Sequence, residues 1–162
     1  MPRDYSHSSL THLALQLDQS TNAGYRHSIE NEARLGKKFL RMSRFSGKLL
    51  GSINYESVQS VRTANFRVLH QLLESRNEFD INLSSETHMY YPFLHADPEL
   101  RNRLVQRQVY NPHWWAHVPE SVPVSSIEAF LSSKMVMLPI DQRYSREDME
   151  QLASIVLEEM RP

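Results

Sequence analysis

One stretch of this sequence combines flat aromatic faces with titratable edges, Tyr110-Asn111-Pro112-His113-Trp114-Trp115-Ala116-His117. Two adjacent tryptophans can pack on a sugar or another ring, while their edges and the flanking imidazoles supply hydrogen bonds at the rim. The candidate cleft residues are Tyr110, His113, Trp114, Trp115 and His117. The same side chains would serve as well to seal a packing surface between domains, and residue type alone weighs the two uses equally.

Other chemistries find less support. The chain holds eight histidines, and imidazole suits zinc and other transition metals. His113 and His117 stand four apart, but Trp114 and Trp115 intervene and no H-E-x-x-H helix surrounds them, so no metal site is expected. No G-x-S-x-G turn is present to hold a serine nucleophile. The paired carboxylates Glu147-Asp148 and Glu158-Glu159 lie in charged helical surroundings, where capping and solvation account for them. The four glycines do not fall at the spacings of a dinucleotide fingerprint or a P-loop.

Composition narrows the partners. Eighteen Lys plus Arg stand against nineteen Asp plus Glu with no charged block, so nucleic acid is not expected. The absence of cysteine excludes disulfides and thiolate metal sites and fits a reducing compartment, which makes the cytoplasm the expected location. Residues 1–7 lack the apolar core of a signal peptide, and no window approaches the roughly eighteen apolar residues of a membrane span. No membrane partner is expected.

The elements that must position the aromatic segment follow from hydrophobic periodicity. Leu10, Leu13, Ala14 and Leu17 predict a short helix, and Leu35, Phe39, Met42, Phe45 and Leu49 predict one long helix from Tyr25 to Leu50, stopped by Gly51. A second long helix is predicted from Tyr55 to Glu74, capped by Asn54, with Val58, Val61, Ala64, Val68 and Leu72 on its apolar side. The aromatic run from Thr87 to Leu94 reads as a strand in which Pro92 favours an edge or a strand end. Asp97-Pro98-Glu99 opens a helix that ends near Gln108, and Val109-Tyr110-Asn111 reads as a second short strand. Ser125 with Glu128, and Ser145 with Asp148, fit capping boxes, and Met135 to Pro139 between those helices reads as a buried strand. Met149, Leu152, Ala153, Val156 and Met160 give the last helix its apolar face.

The expected fold class is α+β, a small sheet of about three strands covered by helices, with long N-terminal helices. Residues 1–24 form an extension, 25–76 the long helices and 77–162 the α+β domain.

Three stretches together resemble one family. Met135-Val136-Met137-Leu138-Pro139-Ile140-Asp141-Gln142-Arg143-Tyr144, leading into Ser145-Arg146-Glu147-Asp148-Met149, resembles the C-terminal signature of the DegT/DnrJ/EryC1/StrS aminotransferases. Glu99 to Leu104 followed by Val109-Tyr110-Asn111-Pro112-His113-Trp114-Trp115 is similar to that family's helix and Ile-Tyr-x-Pro-x-His-Trp segment, with Trp114 at the histidine position and His113 one place earlier. Ile53-Asn54-Tyr55-Glu56 with Arg62, Asn65 and Phe66 resembles its long helix, and the likeness runs from about Tyr25 to the end.

The resemblance implies the small C-terminal domain of a PLP-dependent aminotransferase that aminates keto-sugars on nucleotide carriers for polysaccharide or deoxyamino-sugar biosynthesis. In that family a preceding large domain carries the lysine that forms the Schiff base, and the enzyme is usually a homodimer. Lys37, Lys38, Lys48 and Lys134 fall in predicted helices or at their ends, so this chain by itself is expected to hold no cofactor, to contain no catalytic residue and to be inactive. Its expected partner is a second copy or a separate large domain. The alternative is a non-catalytic interaction or dimerisation module derived from such a domain.

Overall fold

The computed structural model describes residues 1–8, 10–20, 22–34, 39–83 and 88–160. Among these the fold is α+β, with eight α-helices and one two-stranded antiparallel sheet. The chain divides into two compact units, residues 1–54 and 55–162.

The first unit carries α1 (Thr11–Asp18), α2 (Tyr25–Arg34) and α3 (Arg44–Gly51). The helix expected on Leu10, Leu13, Ala14 and Leu17 is α1. The single helix expected from Tyr25 to Leu50 is not formed: α2 ends at Arg34, and residues 39–43 are not helical. Leu35, Lys37 and Lys38 lie outside the described residues. Local competition explains the break. Ser43 is extended, and its hydroxyl accepts from the Ser46 N–H at 3.0 Å, which caps α3 where a continuous helix would run through. Arg41 pairs instead with the N-terminal residues, its N–H donating to Pro2 O and its carbonyl accepting from Asp4 N–H, both at 2.9 Å.

Polar contacts hold this unit together, since no residue of α1, α2 or α3 is buried. The Ser6, Ser43 and Ser46 hydroxyls bond one another, with Ser6 and Ser43 buried. Gly24 lets α2 begin against α1, because a Cβ there would lie 2.3 Å from the His12 carbonyl oxygen. Phe39, Met42, Phe45 and Leu49 do not form one helical stripe, yet each is at least half exposed.

The second unit contains the hydrophobic core. Its elements are α4 (Tyr55–Leu73), β1 (Tyr90–Leu94), α5 (Leu100–Gln106), α6 (Val118–Ser121), α7 (Ile127–Lys134), β2 (Met135–Pro139) and α8 (Arg146–Glu159). β1 and β2 pair with Tyr91 opposite Leu138 and Phe93 opposite Val136, and the two-residue period sends these four side chains into the core. They meet Phe66, Leu69 and Leu73 of α4, Leu100 and Leu104 of α5, and Met149, Leu152, Ala153 and Val156 of α8.

Two expectations are corrected here. The buried face of α4 is Asn65, Phe66, Val68, Leu69 and Leu73, whereas Ala64 and Leu72 of the expected stripe are exposed. Phe66, Leu69 and Leu73 form an alternative i, i+3, i+7 row that removes more apolar area from water. The third strand expected at Val109 is not present among the described residues. α5 ends there in a Schellman motif: Gln108 takes φ 63°, its N–H donates to Val105 O at 3.0 Å, and Val109 N–H reaches back to Leu104 O at 2.9 Å. Val109 is buried by that turn rather than by a ladder.

The caps split as well. The Ser145 box is complete, its hydroxyl accepting from Asp148 N–H at 3.2 Å and its N–H donating to Asp148 Oδ2 at 2.7 Å. At α7 the cap is Ser126, not Ser125, and it accepts from Ala129 N–H at 3.2 Å, so Glu128 stands one position too early to complete a box with it. Asp97 opens α5 by accepting from Glu99 N–H at 2.9 Å, and its hydrogen bond to the Arg103 guanidinium holds its carboxyl below the usual range. No described helix is long and apolar enough to cross a membrane.

Candidate functional site

The aromatic segment leaves the α5 turn and runs to α6 as a loop. Trp114 packs edge-on against Tyr90 of β1, with ring centroids 5.4 Å apart at 84°, and against Trp115 at 5.5 Å and 72°. Trp115 sits at φ 55°, where a bulky side chain is strained, and the residue stays 60% exposed. Its carbonyl accepts from Val118 N–H at 2.8 Å, which fixes the turn into α6. His113 Nε2 lies 3.1 Å from the Ser132 carbonyl at the end of α7. The two tryptophans and His113 are therefore anchored at one end and presented at the other. His117 is exposed, and its carbonyl accepts from the Ser121 hydroxyl at 3.2 Å.

Tyr110 does not join that group. It is exposed and lines an open groove of about 280 Å³ with Tyr144, Arg107, Asp148 and Gln151, beside Pro139 at the end of β2. Nothing in the spacing of Tyr110 from Trp114 pointed to this division. The cause is Gln108, whose left-handed backbone turns the chain before Tyr110 and which glutamine as a residue type does not announce.

A second constellation joins α4 to the segment after β2. Asn65 is buried, and its Nδ2 donates to three backbone carbonyls, Ile140 at 3.4 Å, Asp141 at 3.2 Å and Tyr144 at 3.1 Å. One turn earlier, Arg62 Nε donates to Gln142 Oε1 at 3.2 Å. Arg143 in turn grips Asp141 through two bonds of 2.8 and 2.9 Å, a bidentate pair that lowers the Asp141 carboxyl and raises the Arg143 guanidinium from their ordinary values. These contacts hold the turn that delivers Ser145 to its cap.

No family model, curated protein or solved structure matches this chain.

Lys134 Nζ donates to the Ala96 carbonyl and sits 5.7 Å from the centre of the Phe130 ring, and Lys48 lies on the short helix α3. No group of three or more His, Cys, Asp or Glu that could hold a metal occurs among the described residues.

Proposed function

We propose that this chain carries the small C-terminal domain of a PLP-dependent sugar aminotransferase of the DegT/DnrJ/EryC1/StrS type, with the Schiff-base lysine supplied by a large domain outside these residues. The observation that carries this is the closure of Arg62 and Asn65 on Ile140, Asp141, Gln142 and Tyr144. Those residues lie some eighty positions apart in sequence, and both sets belong to stretches that carry the resemblance. A chance likeness of short motifs gives no reason for them to bond one another across the unit. The Leu138-Pro139 end of β2 and the Ser145 box are then the joint that sets α8 on the sheet, and the tryptophans with His113 form the rim that a sugar would meet.

The exposed Phe39, Met42, Phe45 and Leu49 favour a further role for the first unit as an association surface, covered by the large domain or by a second copy. A non-catalytic dimerisation module is the second reading that this surface supports. Both place the protein in the cytoplasm.

Cofactor chemistry tests the first reading. The purified chain, incubated with PLP and treated with borohydride, is expected to gain no site-specific phosphopyridoxyl adduct by peptide mass analysis, because none of its four lysines is the imine lysine. A stoichiometric adduct on Lys37, Lys38, Lys48 or Lys134 contradicts it.

A further inference from the structure

A groove of about 410 Å³ opens at the end of the sheet, where Tyr90 and Pro139 face each other as the last pair of the ladder. Arg62 of α4 and Arg143 of the turn before α8 both line it, together with Asp141 and Gln142 of that turn. Each guanidinium is tethered along one edge. Arg62 Nε donates to Gln142 Oε1 at 3.2 Å, and Arg143 Nε and Nη2 donate to the two oxygens of Asp141 at 2.8 and 2.9 Å. Arg62 Nη1 and Nη2 and Arg143 Nη1 have no acceptor among the described residues. A guanidinium already oriented by one edge loses less freedom when its other edge binds.

The one acid that lines the groove is committed elsewhere. Both Asp141 oxygens are taken by Arg143, and Oδ1 also accepts the Arg143 backbone N–H at 3.1 Å. Arg62 adds a weaker pull on the same carboxyl, which places both cations beside one anion. Two guanidiniums against one carboxylate leave the group with a net positive charge.

We propose that this groove is a binding site for a phosphoryl group, as free phosphate or as a phosphate ester, held by Arg62 and Arg143. One guanidinium fork satisfies a planar carboxylate, whereas a phosphoryl dianion offers three oxygens to donors that come from two guanidinium planes. Such a site needs neither PLP nor the tryptophan rim.

NMR titration of the full chain with inorganic phosphate and with glucose 1-phosphate, at one low ionic strength, tests this. Saturable shifts are expected at the Gln142 and Arg143 amides and at the Arg62 Nε–H. Equal affinity for the two ligands assigns the phosphoryl group alone, and tighter binding of the ester means that the groove also takes the alcohol it carries. Arg62→Gln is expected to weaken binding about tenfold, the size of one charge-assisted contact. Arg143→Gln is expected to weaken it further, because it removes a cation and also frees the Asp141 carboxylate to repel the ligand. Arg26→Gln, the same change of net charge at an exposed pair on α2, is expected to leave affinity unchanged. Shifts in the unsubstituted chain that do not saturate, or that fall outside the groove, overturn the proposal even where a variant fails to fold. Affinity that survives Arg62→Gln overturns it too, as does acetate binding as tightly as phosphate.

Discussion

Val156→Asp is expected to abolish the cooperative unfolding transition of the second unit. Val156 is fully buried on α8 and belongs to the same cluster as Phe66, Tyr91, Leu138 and Met149. A carboxylate there has neither water nor a cation, and such burial costs about 4 kcal/mol or more, a large part of the 5–15 kcal/mol that holds a domain of this size. Val156→Ala keeps the environment apolar and removes only two methyl groups, so its cost is about 2 kcal/mol. Thermal circular dichroism separates the two outcomes. An aspartate variant that melts within a few degrees of the unsubstituted chain means that Val156 does not face the core.

The second large effect is expected at Asn65, where the sign of the charge matters more than the size of the side chain. Asn65→Ala removes the donor from the Ile140, Asp141 and Tyr144 carbonyls, and leaving buried acceptors unmade costs about 1–3 kcal/mol each at most. Asn65→Asp is nearly the same shape, yet it turns an ionised acceptor toward the same three oxygens. Its destabilisation is expected to exceed that of the alanine variant in urea titrations at neutral pH and to shrink as the carboxyl is protonated in acid. The sign follows because ionisation is disfavoured at this position, which raises the folded pKa above the unfolded one, so the penalty is absent at low pH and grows as pH rises through the unfolded value. An aspartate variant as stable as the alanine variant would show that the three carbonyls do not depend on Asn65 as their donor.

These two residues also mark what the sequence disclosed and what it withheld. Met149, Leu152, Ala153 and Val156 recur at helical spacing after a complete capping box, so α8, its start and its buried face could all be read directly. Pro92 left an edge or a strand end open, and the ladder places it mid-strand with its missing donor on the side away from β2. Where two apolar rows competed on α4, periodicity could not rank them, and the row with Phe66, Leu69 and Leu73 is the buried one. Periodicity also carried a helix across residues 39–43, because it does not register that Ser43 caps a new helix or that Arg41 is held by Pro2 and Asp4. Val109 was read as strand from its β propensity, and the Gln108 turn, which depends on an asparagine-like backbone in a residue that rarely adopts it, overrode that preference.

The aromatic segment stood out by composition alone, but its geometry depends on contacts of long sequence range. The edge-on packing of Trp114 against Tyr90 and the placement of His113 beside Ser132 join residues 24 and 19 positions apart. Tyr110 was grouped with the tryptophans because they are neighbours in sequence, and it lies instead with Tyr144 in another groove. Asn77 carried no signal beyond its tendency to sit in loops. Its bonds to Pro92 O and from Leu94 N–H exist only once β1 is in place.

The most direct measurement is co-expression of this chain with the large domain of a sugar aminotransferase of the DegT/DnrJ/EryC1/StrS type from which the small domain has been removed. The proposed function predicts a complex that co-purifies, shows the Schiff-base absorbance of bound PLP and transfers an amino group from an amino acid to a nucleotide-linked keto-sugar, with Trp115→Ala lowering turnover while the complex stays intact. A large domain that binds PLP but neither retains this chain nor gains activity from it would contradict the account.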